Sequence, residues 1–226
     1  MNNNKAIVLL SGGMDSLVTA AIAAKENSEL YFLHASYGQL TQAKELHSFE
    51  QIATHYRAKD RKVIELSWLR NLGGSRLTDA DFEATEETAA KSFPDTYVPF
   101  RNPNLICMAV SWAEVVGAES IYLGVVEDDS SGYPDCSKSF IQAMQKTIDV
   151  ARGVSHPIQL RAPVIDMSKS EIISLGMKLR APFELSWSCY FASDKACGKC
   201  DSCRLRLNAF AKAGFEDPIT YQGANT

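Results

Sequence analysis

The chain has 226 residues, of which 46% are hydrophobic, and a formal net charge of −4 at pH 7. A chain of this length can bury a full core as one large domain, or as one domain with a small appendage. The chain is acidic overall, and its sequence shows no basic face for direct nucleic-acid binding. No apolar run approaches the ~20 residues of a membrane helix. The first apolar stretch, after Lys5, is also too short for a signal peptide, so we expect a cytoplasmic protein without a membrane segment.

Hydrophobic periodicity and turn residues predict strands that alternate with helices along the chain. The predicted strands cover residues 5–10, 30–36, 62–66 and 120–126, and the predicted helices cover residues 16–26, 41–56, 103–116, 138–152 and 169–179. This order predicts an α/β fold with a mainly parallel sheet and helices on both faces. We expect residues 1–185 to form this domain, and residues 186–226 to form a small cysteine-bearing segment and tail packed on it.

Two of the predicted helices begin with capping signals. Asn102 is the expected N-cap of one, with Pro103 at its first helical position. Ser168 and Glu171 have the spacing of a capping box and predict the start of the other. Residues 72–99, in contrast, lack clear periodicity and contain glycine and proline, which predicts an extended loop that covers a site.

The loop Ser11-Gly12-Gly13-Met14-Asp15-Ser16 lies between the first predicted strand and the first predicted helix. This arrangement is typical of phosphate binding, because backbone amides and the positive end of the helix dipole meet the anion there. Ser11 and Ser16 can add hydroxyl donors, whereas Asp15 is suited to hold a metal ion or to orient the loop. The loop has neither the Walker A lysine nor the G-x-G-x-x-G spacing. The remaining alternative is a glycine turn without a ligand.

Four of the six cysteines, Cys189, Cys197, Cys200 and Cys203, fall in one C-terminal stretch. Without an export signal, clustered cysteines favour a metal over disulfides, and four thiolates complete a tetrahedral zinc site. Such a site has no open position, so the zinc would be structural and would attach the C-terminal tail to the α/β domain. The spacing does not match an iron–sulfur motif. A redox pair of Cys197 and Cys200 is the other alternative, but it would leave two cysteines unexplained.

The glycine loop resembles the pyrophosphatase loop of the N-type ATP pyrophosphatase superfamily, whose members cleave ATP between its α- and β-phosphates and adenylate a substrate. Other segments are similar to one branch of it, the 7-cyano-7-deazaguanine synthase family. They are residues 37–39 (YGQ), 97–102 (YVPFRN), 131–136 (SGYPDC), 187–190 (WSCY) and 197–203 (CGKCDSC). The resemblance extends from Lys5 to about Phe210. The chain departs from the family at Leu40-Thr41, where the family often has a basic pair. A phosphate or carboxylate contact from these two positions is therefore not implied.

The resemblance implies an ATP-dependent ligase that converts 7-carboxy-7-deazaguanine and ammonia to 7-cyano-7-deazaguanine (preQ0) through an adenylated acid and an adenylated amide. It also implies Mg²⁺ with ATP, one structural Zn²⁺ at the four cysteines, and no direct contact with nucleic acid; a homodimer is possible. The nucleotide loop of the family falls on Leu10, Ser11, Gly12, Gly13, Met14, Asp15, Ser16, Leu17, Val18, Thr19 and Ala20. We expect Ser11, Asp15, Ser16 and Arg101 to serve in catalysis.

The edge of a deazaguanine presents N1–H and N2–H₂ as paired donors, which one carboxylate can accept together. Glu127, Asp129 or Asp135 could supply that carboxylate; the alternatives are a solvated acidic loop or a Mg²⁺ contact. Arg101 could bind the substrate carboxylate or a phosphate through two hydrogen bonds, or form a surface ion pair. Tyr133 could stack on the flat heterocycle or pack in the protein.

Other functions stay open on the residues alone. One is another adenylating amidotransferase, or a tRNA-thiolating member of the superfamily, which would need a basic surface and a reactive cysteine near the loop. Another is a non-catalytic module that senses nucleotide. His34, at the end of the second predicted strand, is expected to be a structural histidine rather than a base.

Overall fold

The computed structural model describes residues 4–79, 81, 94–127, 132–152 and 157–223. Five strands form one sheet: β1 (Lys5–Leu9), β2 (Glu29–Ser36), β3 (Asp60–Glu65), β4 (Ser120–Leu123) and β5 (Gln159–Arg161). Their order in the sheet is β3-β2-β1-β4-β5, and every neighbouring pair is parallel. The predicted α/β fold with a parallel sheet is therefore confirmed.

The described helices connect these strands and follow the last of them. They are α1 (Met14–Glu26), α2 (Gln42–His55), α3 (Trp68–Leu72), α4 (Arg101–Val116), α5 (Lys138–Arg152), α6 (Lys169–Leu179) and α7 (Asp201–Ala213). Hydrophobic periodicity and turn residues do not predict β5, α3 or α7. The first two are only three and five residues long. Helix α7 begins inside the cysteine cluster, where the spacing of the cysteines, rather than hydrophobic periodicity, dominates the pattern.

The core lies on both faces of the sheet because β1 is apolar on both sides. Ala6 and Val8 contribute to one face, in a cluster with residues of α1, α2, α6 and α7. Ile7 and Leu9 contribute to the other face, together with residues of α4 and α5. Helices therefore cover both faces, as predicted. A strand that is buried on both sides reads as a continuous apolar run rather than as an alternation.

Helix α4 begins before the predicted residue, and Asn102 is not its N-cap. The helix begins at Arg101, directly after Phe100, whose φ of 55° lies in the left-handed region. The Asn102 amide donates to Asp135 Oδ2 at 3.0 Å, and Asn102 Nδ2 donates to the Asp135 carbonyl oxygen at 3.0 Å. A carboxylate from a distant part of the chain therefore satisfies this helix start, and the local sequence does not reveal it.

Other predicted boundaries differ by a few residues, as expected for element ends. β4 ends at Leu123 rather than at residue 126, and β3 covers Asp60–Glu65 rather than residues 62–66. The capping box of Ser168 and Glu171 is present at the start of α6, as predicted. Residues 80 and 82–93 of the predicted covering loop lie outside the described residues. Within the described ranges, no helix combines the length and the apolar character that a membrane span requires.

A buried arginine attaches the C-terminal tail to the rest of the molecule. Arg206 on α7 has no solvent exposure, and it donates to both carboxylate oxygens of Asp217, at 2.7 and 2.9 Å. It also donates to Ser186 Oγ at 2.8 Å and to the Phe183 carbonyl oxygen at 3.2 Å. Phe210 of the same helix lies in the main core. The tail therefore shares that core, and the boundary between residues 185 and 186 stays a prediction.

Candidate active site

A cavity of about 280 Å³ lies at the carboxyl ends of β1, β2 and β4. β1 lies between β2 and β4 in the sheet, so strands are added on one side of β1 first and on its other side afterwards. This reversal leaves a crevice outside the strand ends, which is where ligands of open α/β sheets bind. The cavity is therefore the candidate active site.

The loop between β1 and α1 forms part of the cavity wall. Leu10, Ser11, Gly13, Met14, Asp15 and Ser16 line the cavity, whereas Leu17, Val18, Thr19 and Ala20 are buried in α1 and are not among the lining residues described. Gly12 lies behind the wall with a φ of 91°, and a Cβ atom there would lie 2.9 Å from the Glu45 carbonyl oxygen. A residue with a side chain would be strained at this position, which explains the glycine.

Hydrogen bonds hold Ser11 and Ser16 together at the start of α1. Their Oγ atoms are 3.0 Å apart, and Ser16 Oγ also lies 2.9 Å from the Gly13 carbonyl oxygen, to which it can donate. The Gly13 amide donates to Ser11 Oγ at 3.2 Å. Gly13 is the N-cap of α1 and provides no side-chain cap for the first amides of the helix. Those amides can therefore meet an anion, which is the arrangement that phosphate binding requires.

Asp15 pairs with a lysine that the sequence analysis does not identify. Lys169 Nζ lies 2.6 Å from Asp15 Oδ2, and both side chains are largely buried. The two residues are 154 positions apart, so no spacing motif reveals the pair. Asp15 Oδ1 is buried and has no hydrogen-bond partner within the described ranges. A buried carboxylate oxygen without a partner fits a ligand of Mg²⁺.

Gly124, directly after β4, is a second residue that the sequence analysis missed. A Cβ atom at this position would lie 2.8 Å from both the amide nitrogen and the Cα atom of Ser16, and 2.9 Å from the carbonyl carbon of Asp15. The end of β4 therefore packs directly on the backbone of the first turn of α1. A glycine at the end of a central strand, where another backbone approaches closely, is the available sequence signal.

A second part of the cavity wall is aromatic and carries a cation. Arg101 Nη1 donates to the Tyr37 hydroxyl at 3.0 Å, and the guanidinium lies 5.4 Å from the centre of the Tyr37 ring. Burial acts to lower the pKa of Arg101, but the Tyr37 and Asp135 side chains outweigh it and raise the pKa. Burial raises the pKa of Tyr37 to about 12, so this hydroxyl stays protonated. Arg101 and Tyr133 both line the cavity, where a charged guanidinium can bind a carboxylate or a phosphate.

The acidic residues predicted to bind the substrate are not brought together in the cavity. Glu127 Oε1 accepts from the Lys138 amide at 3.1 Å, at the start of α5. Asp135 Oδ2 accepts from the Asn102 amide, and burial raises the pKa of Asp135 although this hydrogen bond opposes the shift. Neither residue is among the described residues that line the cavity. Asp129 lies outside the described residues.

His34 connects β2 to the glycine loop. Its Nδ1 lies 2.9 Å from the Leu10 carbonyl oxygen, which can only accept, so Nδ1 carries the proton. The ring stacks on Phe49 with a centroid distance of 5.0 Å. Burial lowers the pKa of His34, so the imidazole is neutral. These contacts agree with the structural role that we expected for this residue.

The four clustered cysteines come together as predicted. Their Sγ atoms all lie within 4.8 Å of one another, and those of Cys197 and Cys203 are 3.9 Å apart. Four sulfurs bound tetrahedrally to zinc at ~2.3 Å are about 3.8 Å apart, so this set fits the ion. Gly198, with a φ of 69°, allows the tight turn between Cys197 and Cys200, and Cys200 is the N-cap of α7.

Backbone amides surround the sulfur atoms of this cluster. Cys189 Sγ accepts from the amides of Ala192 and Cys197, at 3.3 and 3.4 Å. Burial acts to raise the pKa of Cys197, but the amides of Lys199 and Cys200 outweigh it and lower the pKa to about 7. Zinc binds the thiolate rather than the thiol, so these amides favour the form that a metal requires.

The cysteine segment also forms part of the active-site wall. Trp187 lies two residues before Cys189, and its amide donates to the Gly12 carbonyl oxygen at 2.8 Å. Trp187, Ser188 and Tyr190 line the cavity together with the glycine loop. The fold therefore joins the cluster to the candidate nucleotide site.

Comparison with known proteins identifies relatives over almost the whole chain. A sequence model of the family described as "Queuosine biosynthesis protein QueC" matches residues 5–214. The 7-cyano-7-deazaguanine synthase of Chlorobium phaeobacteroides (strain DSM 266) is 53% identical over 219 residues, which cover 96% of this chain and 97% of the relative. The protein of the same name from Chlorobaculum tepidum is 50% identical, with 96% of each chain covered.

A solved structure supports the fold. A 4-thiouridine synthetase, in a complex with RNA and bound ATP, is similar with a TM-score of 0.55 and 18% identity. The similarity covers 92% of this chain and 53% of that one, and at this identity it concerns the fold alone. The family match and the identity to the two bacterial synthases go further: the chain belongs to the QueC family of queuosine biosynthesis, the 7-cyano-7-deazaguanine synthases.

Proposed function

We propose that this member of the synthase family uses one site twice, to activate first a carboxylate and then the amide made from it. The substrates are 7-carboxy-7-deazaguanine, ammonia and ATP. The observation that carries the proposal is that the glycine loop at the start of α1 and the charged Arg101 line the same cavity. Phosphates held at the loop and a carboxylate held by Arg101 would then share one enclosed space.

Ser11, Asp15 and Ser16 are proposed to act on the phosphates of ATP. The serine hydroxyls and the first amides of α1 would bind the phosphates that leave as pyrophosphate. Asp15 would hold Mg²⁺ through Oδ1, and the ion would screen the phosphate charge. The side chain of Lys169 forms an ion pair with Asp15. Residues 17–20 would contribute through the packing of α1 in the core.

Each activation transfers AMP to an oxygen atom of the substrate. A carboxylate oxygen attacks the α-phosphorus of ATP, and pyrophosphate leaves; ammonia then attacks the acyl carbon, the nitrogen loses a proton, and the primary amide forms as AMP leaves. The amide oxygen attacks the α-phosphorus of a second ATP, and pyrophosphate leaves again. Loss of AMP and of both N–H protons from this adenylated amide gives the nitrile. Without the second activation the amide oxygen is a poor leaving group.

The substrate is proposed to bind near Arg101, whose guanidinium matches a carboxylate. Tyr133, in the same wall, can stack on the heterocycle. Asp129 stays a prediction for the edge of the base. To bind the base, Glu127 and Asp135 would first have to give up the hydrogen bonds that they accept from backbone amides. The four cysteines are proposed to hold one structural Zn²⁺, because four thiolates leave no position for a substrate.

A thiolating reaction is the second candidate, because a solved 4-thiouridine synthetase shares the fold. That chemistry needs a reactive cysteine near the loop. Cys136 lines the cavity, but burial and the neighbouring Asp135 raise its pKa to about 12, so it is a protonated and unreactive thiol. The net charge of −4 gives no support to tRNA binding. These observations favour the free base as the substrate; a homodimer and a cytoplasmic location stay predictions.

Synthetic 7-amido-7-deazaguanine tests the double activation. We expect the protein to convert this amide to the nitrile with ATP and Mg²⁺ alone, without ammonia. The acid with ammonium should consume about two ATP per nitrile, because each oxygen removed needs one activation. Mass spectrometry of the products, together with AMP and pyrophosphate assays, measures both. If the amide is inert and accumulates from the acid as the end product, the protein is an amide synthetase and the proposal fails.

A further inference from the structure

The cysteine segment presents polar and aromatic side chains to the active site. Ser188 and Tyr190 flank Cys189, and Ser202 directly precedes Cys203. All three of these neighbours of the cysteines line the cavity that also contains the glycine loop. The binding of a structural metal requires only the four sulfur atoms and their surroundings. A phenol ring and two hydroxyl groups in the cavity wall therefore need a different explanation.

We propose that Tyr190 and Ser202 form the surface that binds the flat base of the substrate, so that the metal-binding segment is also the substrate-recognition element. The inference rests on the proposed function, because it assigns a position to the 7-carboxy-7-deazaguanine of that reaction. It adds two binding residues to Arg101 and Tyr133.

Tyr190 belongs to the same group of side chains as Arg101. Tyr190 and Ser202 line the same cavity as Arg101 and Tyr133. Arg101 in turn donates to the Tyr37 hydroxyl at 3.0 Å. The phenol ring, the two hydroxyl groups and the cation that is proposed to bind the substrate carboxylate therefore line one cavity.

Packing against two clusters of buried residues holds the Tyr190 ring in position. Tyr190 packs against the cluster of buried residues that includes Leu77 and Val98. It also packs against the cluster of Trp187 and the cysteines. A ring that packs against two clusters and also lines the cavity keeps its orientation before the ligand arrives. Such an aromatic ring loses little conformational entropy when a ligand stacks on it.

The chemistry of this surface fits a flat, neutral heterocycle with N–H donors and one carboxylate. The phenol ring offers a face for stacking, and the oxygen atoms of Tyr190 and Ser202 can accept hydrogen bonds from N–H groups. Arg101 can bind the carboxylate through two hydrogen bonds. The phosphates of ATP would occupy the glycine loop of the same cavity.

Calorimetric titration of the zinc-loaded full chain tests the inference, with 7-carboxy-7-deazaguanine and with Mg²⁺ and ATP as separate ligands. Tyr190→Leu removes the stacking face, and we expect it to weaken binding of the base by about tenfold to a hundredfold. Ser202→Ala removes one hydrogen-bond acceptor, and we expect a loss of about twofold to tenfold. In both variants the affinity for ATP and the zinc content should stay at the wild-type values.

Tyr190→Phe tests the contribution of the Tyr190 hydroxyl group, and Tyr56→Phe is its matched control. The Tyr56 hydroxyl is buried without a hydrogen-bond partner among the described residues, and Tyr56 is not one of the described lining residues. Tyr56→Phe should therefore leave both affinities unchanged, whereas Tyr190→Phe should weaken binding of the base by about twofold to tenfold.

Unchanged affinity for the base in Tyr190→Leu and Ser202→Ala proteins that retain zinc would overturn this inference and leave the proposed function standing. A loss of ATP affinity instead would also overturn it, because the surface would then bind adenine. If the wild-type protein binds ATP but shows neither binding nor turnover of the 7-carboxy base, the proposed function itself fails, and the inference fails with it.

Discussion

At the scale of single residues, the charge of the glycine loop depends on Asp15. One of its carboxylate oxygens pairs with Lys169 at 2.6 Å, and the other is buried without a described partner. The loop contains no lysine of its own, so α6 supplies the cation from a distant part of the sequence. When phosphates and Mg²⁺ enter the site, each member of this ion pair has a ligand of opposite charge to bind.

Asp15→Asn should leave the fold intact but abolish the substrate-dependent release of pyrophosphate. The amide is similar in size to the carboxylate, but it removes the charge that organises the metal and the phosphates. We expect a loss of more than about a hundredfold in a pyrophosphate assay, with the circular dichroism spectrum unchanged. Glu26→Gln is the matched control, because Glu26 lies at the other end of α1 and pairs with Arg161. Wild-type turnover in the Asn variant would remove Asp15 from the mechanism.

At the scale of elements, the site depends on the close contact between the end of β4 and the first turn of α1. Gly124 allows this contact, because any side chain there would lie 2.8 Å from the Ser16 amide nitrogen. Trp187 holds the loop from another side through the Gly12 carbonyl oxygen. The amides that are proposed to bind phosphate are therefore held in place by two segments that are distant in sequence.

Gly124→Ala should weaken ATP binding, because it displaces the start of α1, while the overall fold is retained. The new methyl group would contact backbone atoms, which cannot rotate away, so the start of α1 must shift. We expect at least a tenfold rise in the Kd of ATP, since hydrogen bonds to the phosphates require the amides in place.

Gly117→Ala is the control for this variant. Its Cβ would meet no atom within 4 Å, but its φ of 70° strains any side chain, so it should lower stability without changing ATP affinity. Equal ATP affinity in the wild-type and Gly124→Ala proteins would contradict the predicted role of this contact.

At the scale of the whole molecule, the cysteine cluster, the tail and the glycine loop form one connected unit. Arg206 binds Asp217 and the backbone before the cluster, and Ala196 pairs with Tyr221 in an isolated parallel bridge. Loss of the metal should therefore affect the tail and the active site together.

Cys200→Ser should lower the zinc content below one ion per chain and reduce thermal stability. A closed four-thiolate site contributes to the free energy of folding, and a loss of about 3 kcal/mol lowers Tm by about 6–12 °C in a chain of this size. Metal analysis and calorimetry measure both effects. Cys107→Ser is the control, because Cys107 is exposed and outside the cluster, and it should change neither. Iron, or no tightly bound metal, in the wild-type protein would contradict the zinc assignment.

The sequence by itself determined the parallel sheet, the glycine loop between a strand and a helix, and the grouping of the four cysteines. Each of these depends on a local pattern: an apolar run, a glycine turn between a strand and a helix, or cysteines spaced by two residues. Interactions within a few residues are sufficient to specify such features. The capping box at Ser168 was predictable for the same reason.

Only the tertiary structure decided which side chains meet around the loop. Lys169 reaches Asp15 over 154 positions, and Asp135 accepts a hydrogen bond at the start of α4 and is not among the described residues that line the cavity. Gly124 matters because one particular helix packs on the end of β4. The order of strands in the sheet sets these contacts, and no local spacing contains that order. Hydrophobic burial is non-directional, so it favours a compact chain but does not specify which elements become neighbours.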